Sequence, residues 1–216
     1  MVSNSVMQIV ALMEIAISSA IVLACLAQAL YFKDEGHARI VALRVLVCFV
    51  LANLLFWPIF TLFSPLELPL AAYVRGFTGE LSITAMLLLW TAYISPKEIH
   101  VPAEMKVWIA LVAIIFYPLA LGVSMLDPYA WGYGSIALLA AVITTALIAW
   151  LAGSNRIAII LAMAILAWAV GWHESANLWD YILDPFLGLW AIGSLIWSAW
   201  RGRAAQAQTG YLFRKG

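Results

Sequence analysis

Long apolar stretches separated by short polar breaks run through the whole chain. Seven of them approach the length of about 20 mostly apolar residues that a helix needs to cross a bilayer. They cover residues 6–31, 40–63, 68–93, 106–126, 134–151, 156–172 and 178–200. The breaks carry turn-forming pairs such as Ser95-Pro96 and Asp127-Pro128. The pattern predicts an all-α, polytopic integral membrane bundle of about seven transmembrane helices.

The composition excludes two broad classes of protein. Of the 216 residues, 66% are hydrophobic and 10% are charged, whereas soluble domains have about 45–50% apolar and about 25% charged residues. Disorder requires low hydrophobicity and high net charge. The formal net charge is zero, so no general attraction to nucleic acid is expected. The predicted partner is the lipid bilayer, and nucleic acid is not a predicted partner.

The positions of Lys and Arg predict the orientation. The connections at residues 64–67, 127–133 and 173–177 contain no Lys or Arg. Ten of the 11 basic residues lie at or near the opposite face of the predicted bundle: Lys33, Arg39, Arg44, Lys97, Lys106, Arg156, Arg201, Arg203, Arg214 and Lys215. Because cytoplasmic connections are enriched in Lys and Arg, we expect the N-terminus outside and the C-terminus in the cytoplasm. Residues 1–200 would form one transmembrane domain, residues 201–216 a basic cytoplasmic tail, and the location would be a bacterial cytoplasmic (inner) membrane.

Ionisable residues inside the predicted spans are few and unevenly placed. A charged side chain at the bilayer centre costs about 2.5–3.5 kcal/mol, so such residues are functional candidates. Spans four to six have none in their interiors and could face lipid, a membrane-protein partner or a second copy. The candidates for an outward-facing cavity that handles protons or cations are Glu14, Arg75, Glu80, Thr84, Asp180 and Asp184.

Helical geometry predicts how these candidates are arranged. Arg75 and Glu80 are five residues apart, about 140° around a continuous helix, and are poorly placed to pair. Arg75 is therefore expected to pair with Asp184 or Glu14. Asp180 and Asp184 are four residues apart and should share one helix face.

The acids outnumber the one basic residue of the outer half. Surplus buried carboxylates must be protonated, hydrated or neutralised by a bound cation. Glu80 is predicted to lie deepest, near the midplane, on a face with Gly76 and Thr84. Pro185 follows Asp184 directly and is expected to kink span seven.

A metal site finds little support in the sequence. His173 and Glu174 precede Asp180 and Asp184 and could in principle bind a divalent cation at the outer mouth. The spacing matches no zinc pattern such as H-E-x-x-H. We therefore interpret His173 and Glu174 as solvated loop residues and predict no metal.

A retinal cofactor is excluded. The chain resembles microbial rhodopsins in its seven predicted helices, with Arg75, Glu80 and Thr84 in span three and Asp184 in span seven. In that family a lysine one turn after the seventh-helix carboxylate binds retinal. Gly188 stands in that place, and no lysine lies inside any predicted span, so no cofactor is predicted.

Three functions remain open from the sequence. The first is transport of protons, cations or a small cationic solute through an acidic outward-facing cavity. The second is a non-catalytic subunit or scaffold of a larger membrane complex. The third is an integral membrane enzyme that acts on a lipid-linked substrate at the outer leaflet, with Asp180, Asp184 or Glu80 as acid or base.

Overall fold

The computed structural model describes residues 4–31, 37–59, 67–94 and 101–212. In these ranges the chain forms nine α-helices and one short 3-10 helix, with no strand. The all-α prediction is confirmed for this part of the chain. The helices are α1 (Asn4–Tyr31), α2 (His37–Phe56), α3 (Leu70–Thr78), α4 (Ile83–Ile94), α5 (Ala103–Ala120), α6 (Ile136–Leu151), α7 (Asn155–Ala169), α8 (Leu178–Ile182) and α9 (Pro185–Leu212), and the 3-10 helix is Tyr129–Gly132.

Two described helices are long and apolar enough to cross a membrane. They are Val6–Ala27 within α1 and Ala103–Ala120, which is α5. Core helices of soluble proteins and N-terminal signal sequences share these properties. The other apolar helices of the described ranges have 10–17 residues. The described helices of spanning length are therefore fewer than the seven spans that the sequence predicts.

Two predicted spans are interrupted helices. Span three is divided into α3 and α4, and Gly79 between them has a φ of +71°, in the left-handed region that favours glycine. Span seven is divided into α8 and α9, with Leu183 in extended conformation between them. Pro185 is the first residue of α9, where its missing N–H costs no helical hydrogen bond. The predicted kink at Pro185 is confirmed and is a complete break.

Several helix ends differ from the predicted ends. Helix α5 ends at Ala120, six residues before the predicted end of span four, since Gly122 at a φ of +85° turns the chain away. Helix α9 runs beyond residue 200 to Leu212. Residues 60–63 of span two, residues 32–36, 64–66 and 95–100 of the connections, and tail residues 213–216 lie outside the described residues.

Helix packing brings the interrupted spans together. Helix α1 packs on α2, α3 and α4, α4 also contacts α7 and α8, α5 packs on α9, and α6 packs on α7. A Cβ added to Gly188 would lie 2.9 Å from the Ala113 Cβ, so the absence of a side chain lets α9 approach α5 closely. The larger apolar core includes Ile109, Leu161 and Tyr181. The two breaks lie beside each other at one end of this core.

Candidate functional site

The two helix breaks are joined by one buried carboxylate. Asp184, which is 5% exposed, accepts hydrogen bonds on Oδ2 from the Ser82 N–H at 3.0 Å and the Ser82 Oγ–H at 2.6 Å. Its Oδ1 accepts from the Leu187 N–H at 2.8 Å. Ser82 Oγ in turn accepts from the Ala85 N–H at 3.1 Å. Ser82 and Asp184 thus cap the N-termini of α4 and α9, where a negative charge is stabilised by the helix dipole.

Arg75 pairs with acids other than those predicted. Its Nη2 lies 2.6 Å from Glu80 Oε1 and 2.9 Å from Glu174 Oε1. The expectation of Asp184 or Glu14 as partner is wrong, and so is the expectation that Arg75 and Glu80 are poorly placed to pair. The angular estimate assumed a continuous helix, whereas α3 ends at Thr78 and the chain turns at Gly79.

Glu80 lies in the break and connects two groups of side chains. Because it is outside any helix, it does not share a helix face with Gly76 and Thr84, which corrects the predicted stripe. Its Oε1 binds Arg75. Its Oε2 accepts from the Glu174 N–H at 3.2 Å and lies 3.9 Å from His173 Nδ1.

His173 is a site residue that the sequence interpretation placed in solvent. It is 4% exposed, and its ring stacks on Tyr181 with centroids 4.8 Å apart and planes at 19°. Nε2 lies 3.6 Å from Glu14 Oε2, on the opposite side from Glu80. Neither ring nitrogen has a hydrogen-bond partner among the described residues.

The loop folds inward because Tyr181 holds it. The Tyr181 hydroxyl accepts from the His173 N–H at 3.0 Å and donates to the Ser175 carbonyl at 2.9 Å. Trp168 Nε1 also donates to the Ala176 carbonyl at 2.9 Å. A short connection without Lys or Arg between aromatic residues was the only sequence signal of this burial, since loop residues show no periodicity.

Glu14 reaches the same loop from α1. Its Oε1 accepts a hydrogen bond from Trp172 Nε1, and its Oε2 faces His173. Glu14 does not line the cavity described below. It joins the acidic cluster through His173 rather than through Arg75.

Asp180 and Asp184 occupy different environments. The break at residues 183–184 separates them, so they do not lie on one face of a continuous helix as predicted. Asp180 Oδ2 accepts from the Tyr129 hydroxyl at 3.1 Å and from Ser175 Oγ. Burial raises the pKa of the Tyr129 hydroxyl, and Tyr133 and Asp180 raise it further. Tyr129 therefore remains a hydrogen-bond donor at neutral pH.

The connection before α6 supports the position of Tyr129. Asn177 Nδ2 donates to the Tyr129 carbonyl at 2.9 Å, and Trp179 Nε1 donates to the Pro128 carbonyl at 2.8 Å. A Cβ at Gly132 would lie 1.5 Å from Asn177 Oδ1, so only glycine allows this approach. The two loops at this end of the bundle are therefore tied together.

A cavity of about 670 Å³ opens between these elements. Its polar lining consists of Arg75, Glu80, Glu174, Ser175, Asp180 and Asp184, and the rest of its lining consists of Gly79, Phe116, Tyr117, Ala120, Leu121, Tyr129, Leu183 and Pro185. Four carboxylates thus face one guanidinium. Helix α5, which belongs to a span without interior charges, supplies much of the apolar wall.

Thr84 is not part of this cavity. It is 1% exposed, and its hydroxyl has no hydrogen-bond partner among the described residues. The cavity therefore brings together four of the six predicted residues, namely Arg75, Glu80, Asp180 and Asp184. Within the described ranges, no group of three or more His, Cys, Asp or Glu side chains could hold a metal ion.

Known proteins do not identify the chain. No protein family, no curated protein and no solved structure matches it. The chemistry of the cavity and of the cluster around His173 is therefore the basis for inferring a function.

Proposed function

We propose that the chain is an integral membrane protein of seven crossings, with its N-terminus outside, that transports a small organic cation. The observation that carries this proposal is the cavity of about 670 Å³, in which four carboxylates and one guanidinium face an aromatic and aliphatic wall. Pockets for small molecules combine apolar walls with a few polar groups that orient the ligand. An organic cation presents charge to the acids and apolar surface to the aromatic and aliphatic residues of the lining.

Exposed apolar side chains support the membrane assignment. Phe49 of α2 is 67% exposed, and Ile115 of α5 and Ile148 of α6 are each 61% exposed. Soluble monomers rarely expose contiguous apolar patches of more than a few hundred Å². The interrupted spans are compatible with a bilayer, because irregular backbone at membrane depth is tolerated where it lines a cavity.

The described basic residues support the orientation. Lys106 and Arg156 lie in the first turns of α5 and α7, Arg44 lies in the first half of α2, and Arg201 lies in the second half of α9. The cavity lies near the end of α5 and the start of α9, at the ends of these two helices that are far from Lys106 and Arg201. A cytoplasmic location of the basic residues gives the cavity an outward position.

The charges of the cavity favour a cation over an anion. Arg75 binds both Glu80 and Glu174, so one positive charge faces two negative ones. The two helix N-termini stabilise Asp184. Asp180 accepts hydrogen bonds from two hydroxyl groups, and no described salt bridge includes it. A bound cation would supply the missing positive charge and could also contact the faces of Tyr117 and Phe116.

The position of the two breaks supports transport. Spans one to three and spans five to seven form two groups of three on either side of span four. Span three is the third span of the first group, and span seven is the third span of the second group. Interrupted helices at corresponding positions in two halves of a membrane protein often mark the binding site of a transporter. The breaks also supply the points at which the helices could change their relative angle.

Uptake of radiolabelled tetraethylammonium into proteoliposomes tests this proposal. Asp180→Asn keeps the shape of the side chain and one acceptor oxygen for the Tyr129 and Ser175 hydroxyls, and it removes the charge. We expect it to lower uptake at least about tenfold, equivalent to about 1.4 kcal/mol of binding free energy. The matched control is Glu67→Gln, because Glu67 is an exposed acid that does not line the cavity.

Two results would contradict the proposal. One is the absence of tetraethylammonium binding to the purified wild-type chain, measured by calorimetry in detergent. The other is uptake by Asp180→Asn that equals uptake by Glu67→Gln, which would remove the cavity acids from any role in recognition.

A further inference from the structure

We infer that Glu14, His173 and Glu80 form a proton-binding site, and that its proton exchanges with the cation bound in the cavity. This inference rests on the proposed function, because Glu80 belongs both to the cavity and to the group around His173. It adds a coupling ion, H⁺, and a coupling residue, His173, to the transport of an organic cation.

The geometry places one carboxylate oxygen opposite each nitrogen of a buried ring. Glu14 Oε2 lies 3.6 Å from Nε2 and Glu80 Oε2 lies 3.9 Å from Nδ1. The His173 side chain is 2% exposed, so water does not reach it freely. Stacking on Tyr181 and the backbone hydrogen bond at residue 173 hold the ring in this plane.

When both carboxyl groups are ionised, only the protonated ring matches this arrangement. A neutral imidazole has one N–H donor and one nitrogen lone pair, whereas the imidazolium ion has two N–H donors. In the neutral state one of the two carboxylates faces a lone pair, and that contact is repulsive. In the imidazolium state both carboxylates face donors, and small movements of the side chains would close both distances to hydrogen bonds. Histidine is also the side chain that ordinarily changes charge between about pH 5 and pH 8.

The titratable and charged groups around His173 come from several elements. Helix α1 supplies Glu14, the break between α3 and α4 supplies Glu80, α8 supplies the phenol of Tyr181, and α3 supplies Arg75 behind Glu80. Glu174, the next residue in the loop, directs its carboxylate to Arg75. The three carboxylates exceed the one guanidinium, so the cluster attracts one or two further positive charges.

Glu80 connects proton binding to cation binding. Its Oε1 binds Arg75 at the wall of the cavity, while its Oε2 faces His173. A cation in the cavity adds a positive charge close to the imidazolium and competes with it for the charge of Glu80. The imidazolium then loses its proton through Glu14, which faces Nε2. One monovalent cation enters as one proton leaves, and the net charge of the cluster is unchanged.

Calorimetry in buffers of different ionisation enthalpy counts the protons released when tetraethylammonium binds to the full chain in detergent. We expect the wild type to release up to about one proton per cation at the acidic end of the range of histidine, about pH 5 to 6. His173→Gln should still bind the cation and release almost none. The matched control is His37→Gln, which changes a histidine of a predicted cytoplasmic connection and should release protons as the wild type does.

A second measurement tests the proton site without any cation. In NMR spectra of ¹⁵N-histidine-labelled protein, the signal that His173→Gln removes should report imidazolium at acidic pH. Glu14→Gln should lower the imidazolium fraction at a given pH, because it removes a stabilising negative charge.

A His173 ring that stays neutral across about pH 5 to 8 overturns the inference even if tetraethylammonium binds. If tetraethylammonium does not bind but His173 titrates, the proposed transport and the proton exchange are wrong, and the proton-binding site is still supported. Equal proton release by wild type and His173→Gln contradicts the exchange alone.

Discussion

The Ser82–Asp184 junction and the group of Glu14, His173 and Glu80 lie side by side, but they differ in how their polar atoms are satisfied. At the junction, the atoms bound to Asp184 lie 2.6 to 3.0 Å from its oxygens. Around His173, the facing atoms are 3.6 and 3.9 Å apart, and neither ring nitrogen has a hydrogen bond to the described part of the chain. The first arrangement is typical of a group that holds the fold. The second is the arrangement that we infer to bind a proton.

The difference has a structural cause. Two of the donors to Asp184 are backbone N–H groups, whose positions are determined by the helices that they begin. Glu14, His173 and Glu80 meet through side chains alone, and two of them lie in a loop and a helix break. A change of protonation in this group affects one backbone hydrogen bond, from the Glu174 N–H to Glu80, whereas a change at Asp184 disturbs two helix N-termini.

Asp184→Ala is expected to have the largest effect on stability. It leaves the Ser82 and Leu187 N–H groups without their acceptor, and each buried unsatisfied group costs about 1–3 kcal/mol. The melting temperature in detergent, followed by tryptophan fluorescence, should fall far more than in Glu67→Ala. The melting temperature of Asp184→Asn should lie between those of Asp184→Ala and Glu67→Ala, since Asn also caps helices. A melting temperature of Asp184→Ala equal to that of the wild type would show that the junction does not hold the fold.

Arg75→Leu should have the next largest effect, because it leaves Glu80 and Glu174 facing each other. Removing one partner of a buried ion pair costs about 3–5 kcal/mol. We expect less here because the Arg75 and Glu80 side chains are 20% and 18% exposed. Adding Glu80→Gln should restore part of the lost melting temperature.

The control for this prediction is the double variant that combines Arg75→Leu with Asp184→Asn. Asp184 binds Ser82 and Leu187, not Arg75, so the two losses of melting temperature should simply add. Recovery in this double variant would instead support a pairing of Arg75 with Asp184.

Tyr129→Phe should have the smallest effect, about 1 kcal/mol, because it removes one hydrogen bond to Asp180. Burial raises the pKa of the Tyr129 hydroxyl, so its contribution to stability is fully present at neutral pH. That contribution is lost only as the pH rises above the ordinary tyrosine value of about 10. Melting temperatures across neutral and alkaline pH test this, with Tyr73→Phe as the exposed control. A difference between Tyr129→Phe and the wild type that varies around neutral pH would contradict the prediction.

Two uninterrupted helices, α1 and α6, were well predicted from the apolar pattern. The predicted span 134–151 corresponds to α6 (Ile136–Leu151), and the span 6–31 corresponds to α1 (Asn4–Tyr31). Runs of apolar residues bounded by turn residues carry this information locally. The interrupted spans were predicted less well, since Gly79 marks a break only through its φ of +71°, which the apolar pattern does not reveal.

The site shows the same division. That the acids of spans three and seven meet in one cavity follows from their positions near the same ends of apolar helices. The partner of Arg75 and the burial of His173 do not follow, because the first depends on the direction of a broken helix and the second on a loop held by Tyr181.

The sequence by itself determined the all-α character, the approximate positions of the uninterrupted helices, a kink at Pro185 and the surplus of acids. These properties depend on composition and on residues close together in the chain. Only the tertiary structure decided which acid binds Arg75, that Asp184 caps two helices, and that His173 lies between two carboxylates. Ser82 and Asp184 are 102 residues apart, and Trp172 and Glu14 are 158 apart. The helical period predicts the direction of a side chain only within one continuous helix, so contacts across breaks and loops depend on how the helices pack.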